Sequence, residues 1–277
     1  MRKGIRKPTA FTVLLNGLTV LIAVCFVFPI LWLVISAFKP GNELFSYPLT
    51  LLPRHATLDN FVLAWNTFDV IRYTWNTLFV TITATVITVI ISAMSGFALA
   101  KYHYKWVQAS YIVFLSMLML STEVIMAPSF EVVFRLGLYN TLWGIIFPTL
   151  CTPAGIMMMR AYFAGVPDSL AEAARIDGAN EGKIFMTIML PMAKPIIVIL
   201  TIFSFRWRWN DYIWPLISID DPKKYTLQLA IANLAGALNV EWRTLLASSV
   251  TSMLPILLVF LVFQKQIMNS NINTGIK

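Results

Sequence analysis

The chain has 277 residues, 58% of them hydrophobic and only 12% charged, with a mean hydropathy of +0.74. Soluble globular domains carry about a quarter charged residues, so this composition excludes one. A net charge of +8 on so apolar a chain speaks for membrane topology and headgroup attraction, not nucleic-acid binding.

The apolar residues fall into six blocks. Phe11 to Phe38 is uncharged. It is far longer than the roughly 7–15 residues of a signal-peptide core, and no small-residue cleavage site follows it, so it is expected to stay as a first crossing. Trp75 to Ala100 is also uncharged, and Trp106 to Ser129 carries only Glu123, expected near the outer end of a third crossing. Thr141 to Met159, Ile196 to Ile217 and Leu245 to Phe263 follow, the fifth block holding a charged knot in its second half. Each block meets or approaches the roughly 20 residues that cross a hydrocarbon core about 30 Å thick. The blocks are continuous rather than alternating, which argues against strands. The expected fold is therefore all-α, a polytopic membrane protein with six transmembrane helices. Pro128, Pro148, Pro153 and Pro215 are tolerated as kinks.

Six crossings put both termini on one side. Met1 to Lys7 holds four cations and no acid, and the turn KYHYK (Lys101 to Lys105) adds two more. The positive-inside rule assigns that side to the cytoplasm. The expected organisation is a cytoplasmic amino terminus and first crossing in 1–38, an extracytoplasmic loop in 39–73, a core in 74–266 with a cytoplasmic loop at 161–194, and a cytoplasmic tail in 267–277. The outer segments Lys39 to Arg72 and Ser218 to Thr244 are large enough to meet a soluble protein, or to serve as solvated connections.

No catalytic or metal-binding constellation can be assembled. His55 and His103 fall on opposite sides of the membrane, Cys25 and Cys151 lie within membrane blocks, and no HExxH occurs. Gly178 to Ile184 falls short of a phosphate loop, with three residues where four are needed and Ile184 where Ser or Thr belongs. Any ATP used must be hydrolysed by another chain.

One polar stretch stands out, Glu172 to Pro195, EAARIDGANEGKIFMTIMLPMAKP. Ser169-Leu-Ala-Glu172 fits a capping box, and Gly178 is placed to end a helix in the left-handed conformation. A two-turn helix over Leu170 to Asp177 is expected, then a second from about Glu181 to the Leu190-Pro191 break. Leu170, Ala173, Ala174 and Asp177 share one face, with small side chains that let another backbone approach. Two turns alone are marginal in water, so this helix must dock. Spacing leaves two surfaces open, the headgroup layer or a partner protein.

In the fifth block, Arg206 falls roughly 16 Å along a helix begun at Pro195, near the bilayer centre. Arg208, Trp209, Asn210, Asp211 and Trp214 follow. A charge at that depth costs at least about 2.5–3.5 kcal/mol unless it faces protein or water. One arrangement is a water-filled pathway where aromatic faces stack on sugar rings while Arg208, Asn210 and Asp211 bond hydroxyls. The other pairs Arg208 with Asp211 and sends Arg206 to a partner subunit. Two arginines also admit an acidic substrate.

The run Glu172-Ala173-Ala174, Gly178, Ile188, Leu190-Pro191 resembles, without a gap, the cytoplasmic loop of binding-protein-dependent ABC importers. SGFALAKYHYK (Ser95 to Lys105), LGLYNTLWGIIFP (Leu136 to Pro148) and RWNDYIWPL (Arg208 to Leu216) resemble its carbohydrate-uptake branch, in particular the six-helix partner of the maltose-type systems for oligosaccharides and glycosides. The resemblance implies that Leu170, Glu172, Ala173, Ala174, Asp177 and Gly178 belong to a coupling helix seated on an ATPase. It further implies a second related permease, two ATPase subunits holding ATP and magnesium, an extracytoplasmic binding protein, no cofactor in this chain, and a bacterial or archaeal plasma membrane. An ion-coupled secondary transporter, the rival class, would usually be longer and show two related halves.

Overall fold

The structure is a computed structural model that describes residues 10–272; the cationic cluster Met1 to Lys7 and residues 273–277 lie outside them. Every regular element among the described residues is helical. In chain order the principal helices are α1 (Ala10–Ala37), α2 (Asp59–Thr67), α3 (Val70–Lys101), α4 (Lys105–Met117) and α5 (Thr122–Arg135). They continue as α6 (Leu142–Thr149), α7 (Pro153–Ala164), α8 (Asp168–Ile176), α9 (Glu181–Met192) and α10 (Lys194–Trp209), then α11 (Ile213–Ser218), α12 (Leu227–Ala235) and α13 (Trp242–Ile272).

Three of these, α1, α3 and α13, are each long and apolar enough to cross a membrane. The pairs α4–α5, α6–α7 and α9–α10 pass the same test together, bent by 114°, 42° and 77°, so the described residues hold six candidate spans when each bent pair counts as one. The continuous third, fourth and fifth blocks of the sequence are thus broken in space. The third breaks where Ser121, in extended conformation, precedes α5 and its hydroxyl bonds Glu123. In the fourth, the peptide N–H groups missing at Pro148 and Pro153 fall where the helix is interrupted.

The fifth block is also interrupted, because α10 ends at Trp209 and α11 starts only at Ile213. Polar side chains satisfy the exposed helix ends there. The Asn210 amide donates to the Arg206 carbonyl at 2.9 Å, and the Asp211 carboxylate accepts the Trp214 N–H at 3.4 Å.

The chain divides into two compact units. The first comprises residues 10–69 and Ala237–Thr251. Its anchor is Lys39, which is fully buried, with its ammonium 4.5 Å from the centre of the Trp32 ring and bonded to the Thr50 carbonyl. The Asn60 amide donates to the carbonyls of Ala37 and Lys39 at 2.8 and 2.7 Å, closing the end of α1.

The second unit comprises Val70–Gly236 and residues 252–272. Its spine is α3, which packs most extensively on α7 and next on α10. Glycines set how closely these helices approach. A Cβ on Gly96 of α3 would lie 2.5 Å from Met159 Cβ, and one on Gly155 of α7 would lie 2.8 Å from the Ser92 hydroxyl and 3.1 Å from Leu200 of α10. Small residues at crossings are the usual basis of helix packing in lipid, where apolar burial between helices gives little drive. Along the same face of α3 runs a buried hydroxyl stripe of Thr77, Thr81, Thr85, Thr88 and Ser92. At one end of this unit Asn140, at φ 56°, accepts the backbone N–H groups of Asp220 and Asp221 at 3.2 and 2.9 Å, while Asn76 donates to the carbonyls of Lys223 and Tyr225.

Candidate functional site

Two groups of residues stand apart in the second unit, a polar helical hairpin and a cleft. The hairpin is α8 and its turn into α9. Pro167, at φ −58° and ψ 135°, starts α8 at Asp168, two residues earlier than expected, and no side chain caps its first amides. The capping box of Ser169 and Glu172 therefore does not form. Proline presets the entry geometry and Asp168 supplies the first-turn negative charge instead.

The helix ends as the sequence predicts. Gly178, at φ +79°, donates to the Arg175 carbonyl at 3.0 Å and Ala179 donates to Ala174 at 2.9 Å, the paired bonds of a Schellman motif. Asn180 then caps α9, accepting from the Lys183 N–H at 2.8 Å. A π-helical stretch, Phe185–Met189, follows before the sharp bend into α10.

The two faces of α8 differ. Ala171 and Ala174 are buried against Phe97, Phe163, Val166, Ile184 and Met189 of the chain's own core. Ser169, Glu172, Ala173 and Ile176 point the other way, with Leu170 and Asp177 on the flank, all exposed. Ala174 thus stands on the inward side of the face drawn from the sequence. The sequence reading missed Ile176, which is 86% exposed. A large β-branched side chain at the end of a polar helix is the signal that could have found it.

The turn after α3 braces this hairpin at both ends. Lys101, its side chain only 4% exposed, donates to the Val166 carbonyl at 2.5 Å and to the Asp168 carboxylate at 2.6 Å. The Tyr102 hydroxyl donates to Glu181 at 2.5 Å, and Arg175 donates to the same carboxylate at 2.7 and 3.3 Å. Burial, and then the bond to the Glu181 carboxylate, push the Tyr102 phenol up to about 12. The bond to Lys101 holds the Asp168 carboxyl below its usual range. Phe97 packs beneath the brace, 5.9 Å from Tyr102 and 5.3 Å from Phe185 between ring centres.

The cleft has a volume of about 500 Å³ and is lined by Phe203, Arg206, Trp207, Asn210, Asp211, Tyr212 and Ile213. Of the six pathway residues expected from the sequence, Arg206, Asn210 and Asp211 line it. The other three are directed elsewhere. The Trp209 indole is fully buried and donates to the Ser252 carbonyl at 2.9 Å, and Trp214 donates to the Gly144 carbonyl at 3.1 Å. Arg208 is 6% exposed. Its guanidinium bonds the Ser204 hydroxyl and the Thr149 carbonyl, and reaches the Thr88 hydroxyl of α3 at 2.7 Å. It makes no ion pair with Asp211. A single helical turn explains the division, because Arg206 and Arg208 lie about 200° apart around the axis. Among the described residues no three of His, Cys, Asp and Glu gather where they could hold a metal ion.

Comparison with known proteins gives these elements a setting. The profile of the family described as "Binding-protein-dependent transport system inner membrane component" matches residues 89–270. The chain is 34% identical over 248 residues to an arabinooligosaccharides transport system permease protein of Halalkalibacterium halodurans, covering 88% of each chain. It is 30% identical to a diacetylchitobiose uptake system permease protein of Streptomyces coelicolor, over 94% of this chain and 87% of that one. Among solved structures, a chain of a bacterial ABC transporter involved in import of the acidic polysaccharide alginate superimposes with a TM-score of 0.86 and 25% identity, over 96% of this chain and 99% of that one.

Proposed function

Because the chain belongs to the binding-protein-dependent transport system inner membrane component family, we propose that it is the permease through which an ATP-driven importer takes an uncharged oligosaccharide or glycoside into the cytoplasm. The observation that carries the substrate class is the charge of the cleft. Arg206 and Asp211, of opposite sign, are its two charged lining groups, while Arg208 is buried away from the lining, bonded to Thr88 and Ser204. Trp207 and Tyr212 offer ring faces, and Asn210 and Asp211 offer hydroxyl partners. Such a lining suits a polyol better than a uronate, which needs an excess of cations.

In this reading the exposed face of α8 docks on an ATPase that binds ATP and magnesium, and a second, related permease completes the pathway. Both termini lie in the cytoplasm, and an extracytoplasmic binding protein delivers the sugar. This chain supplies the route and the docking helix, not the hydrolysis. ATP-driven closure of two ATPase subunits would displace α8 and rock the crossings between inward-open and outward-open states.

Uptake by the reconstituted importer of a labelled neutral oligosaccharide against a uronate oligosaccharide tests the substrate class. The neutral sugar is expected to be taken up preferentially. Asp211→Asn is expected to slow its uptake about tenfold, the range for losing a charged hydrogen-bond partner. Preferential uptake of the uronate, abolished by Arg206→Gln, would overturn the assignment.

A further inference from the structure

The hairpin that would meet the ATPase is held by a turn remote from it in sequence, 65 to 79 residues away. Lys101 fixes the entry to α8 through Val166 and Asp168, and Tyr102 fixes the exit through Glu181 and Arg175. Both braces sit on the last residues of α3 or directly after them. Thirteen residues back along the same helix, roughly 20 Å at 1.5 Å per residue, Thr88 bonds Arg208 directly behind the cleft. The helix between is tightly seated, with Gly96 against α7 and Ser92 beside Gly155.

The covalent neighbours of α8 are less direct transmitters. α9 contains a π-helical stretch and a 77° bend before α10, features that absorb displacement. α7 leads toward the broken segment at residues 150–152. Only α3 runs unbroken from the hairpin to the residue that holds the wall of the cleft.

We propose that Lys101, Tyr102, Arg175 and Glu181 form a clasp that makes α3 the rod by which movement of the docking helix reaches the cleft. These are positioning residues, and they touch neither sugar nor nucleotide. The clasp rests on the importer reading above and adds to it a route of coupling. Tyr102 is the most informative member, because removing its hydroxyl deletes one hydrogen bond and leaves the ring packed on Phe97.

The test uses the assembled importer in proteoliposomes, measuring sugar taken up per ATP hydrolysed together with co-purification of the ATPase. Tyr102→Phe is expected to lower the uptake-to-hydrolysis ratio roughly two- to tenfold, the range of one hydrogen bond acting on a two-state equilibrium, with the ATPase still bound. Tyr102→Phe combined with Glu181→Gln is expected to be no worse than Glu181→Gln alone, since both cut one connection. Exchanging the charges, Arg175→Glu with Glu181→Arg, is expected to restore part of the ratio lost in either single variant.

A wild-type ratio in Tyr102→Phe, or losses that multiply in the double variant, would overturn the clasp and leave the importer standing. A wild-type chain that binds no ATPase would overturn both. Should Glu181→Gln fail to accumulate in the membrane, the milder Tyr102→Phe decides the matter alone.

Discussion

Ile176→Asp is expected to reduce binding-protein-stimulated ATP hydrolysis by at least about tenfold while the chain still inserts in the membrane. Ile176 is 86% exposed on the outward side of α8, where Ala171 and Ala174 already hold the inward side to the core, so the free chain loses nothing when it is changed. In the docked complex the same side chain would be buried. Burying an isoleucine is worth about 1.5–3 kcal/mol, or roughly 10- to 150-fold in affinity, and a carboxylate in its place adds a desolvation cost. Gly178→Asp should act at the same interface by another route. Nothing lies within 4 Å of where its Cβ would stand, but its φ of +79° costs a non-glycine residue about 1–2 kcal/mol. Equal hydrolysis by wild type and Ile176→Asp would place the ATPase contact elsewhere.

Arg208→Met carries the second large effect, on folding rather than on selectivity. The substitution keeps the volume but deprives the Thr149 carbonyl and the Thr88 and Ser204 hydroxyls of a charged donor. Replacing a buried ion with a well-packed hydrophobe can be neutral when its partners go with it. Here they remain, Thr149 at the end of α6, Thr88 on α3 and Ser204 on α10, so the loss wins by about 3 kcal/mol. For a chain of this size that is roughly 6–12 °C in melting temperature of the detergent-solubilised protein. Arg206→Gln, at an exposed cleft position, should stay within about 0.5 kcal/mol of wild type and alter transport alone. If Arg206→Gln melted early and Arg208→Met did not, the roles assigned to the two arginines would be reversed.

Much of this was legible in the sequence, because lipid imposes simple rules. Continuous apolar runs of about 20 residues announced the crossings, and Gly178 marked the turn of the polar hairpin, but its second helix runs on through the expected Leu190-Pro191 break to Met192. Four things were not legible. Hydropathy counts residues and not direction, so the bends at residues 118–121 and at Ala193 left no trace in the block lengths. The start of α8 was misread because a capping box and a proline entry compete over the same turn, and Pro167 fixes the backbone before Ser169 can act. The division of labour between Arg206 and Arg208 depends on which side of α10 faces α3. That is set by Gly155, Ser92 and Leu200 meeting across three helices, contacts separated by up to about a hundred residues. The brace from Lys101 and Tyr102 was hidden for the same reason, since each half looks like an ordinary cytoplasmic turn.

The most direct test of the account is ATP-dependent uptake of a labelled neutral oligosaccharide into proteoliposomes holding this chain, a related permease and an ATPase encoded beside it, with the cognate binding protein on the opposite face from ATP. Accumulation that requires both ATP and binding protein, and that falls at least about tenfold with Ile176→Asp, is the predicted result. Uptake driven by an imposed ion gradient with no ATPase present would contradict it.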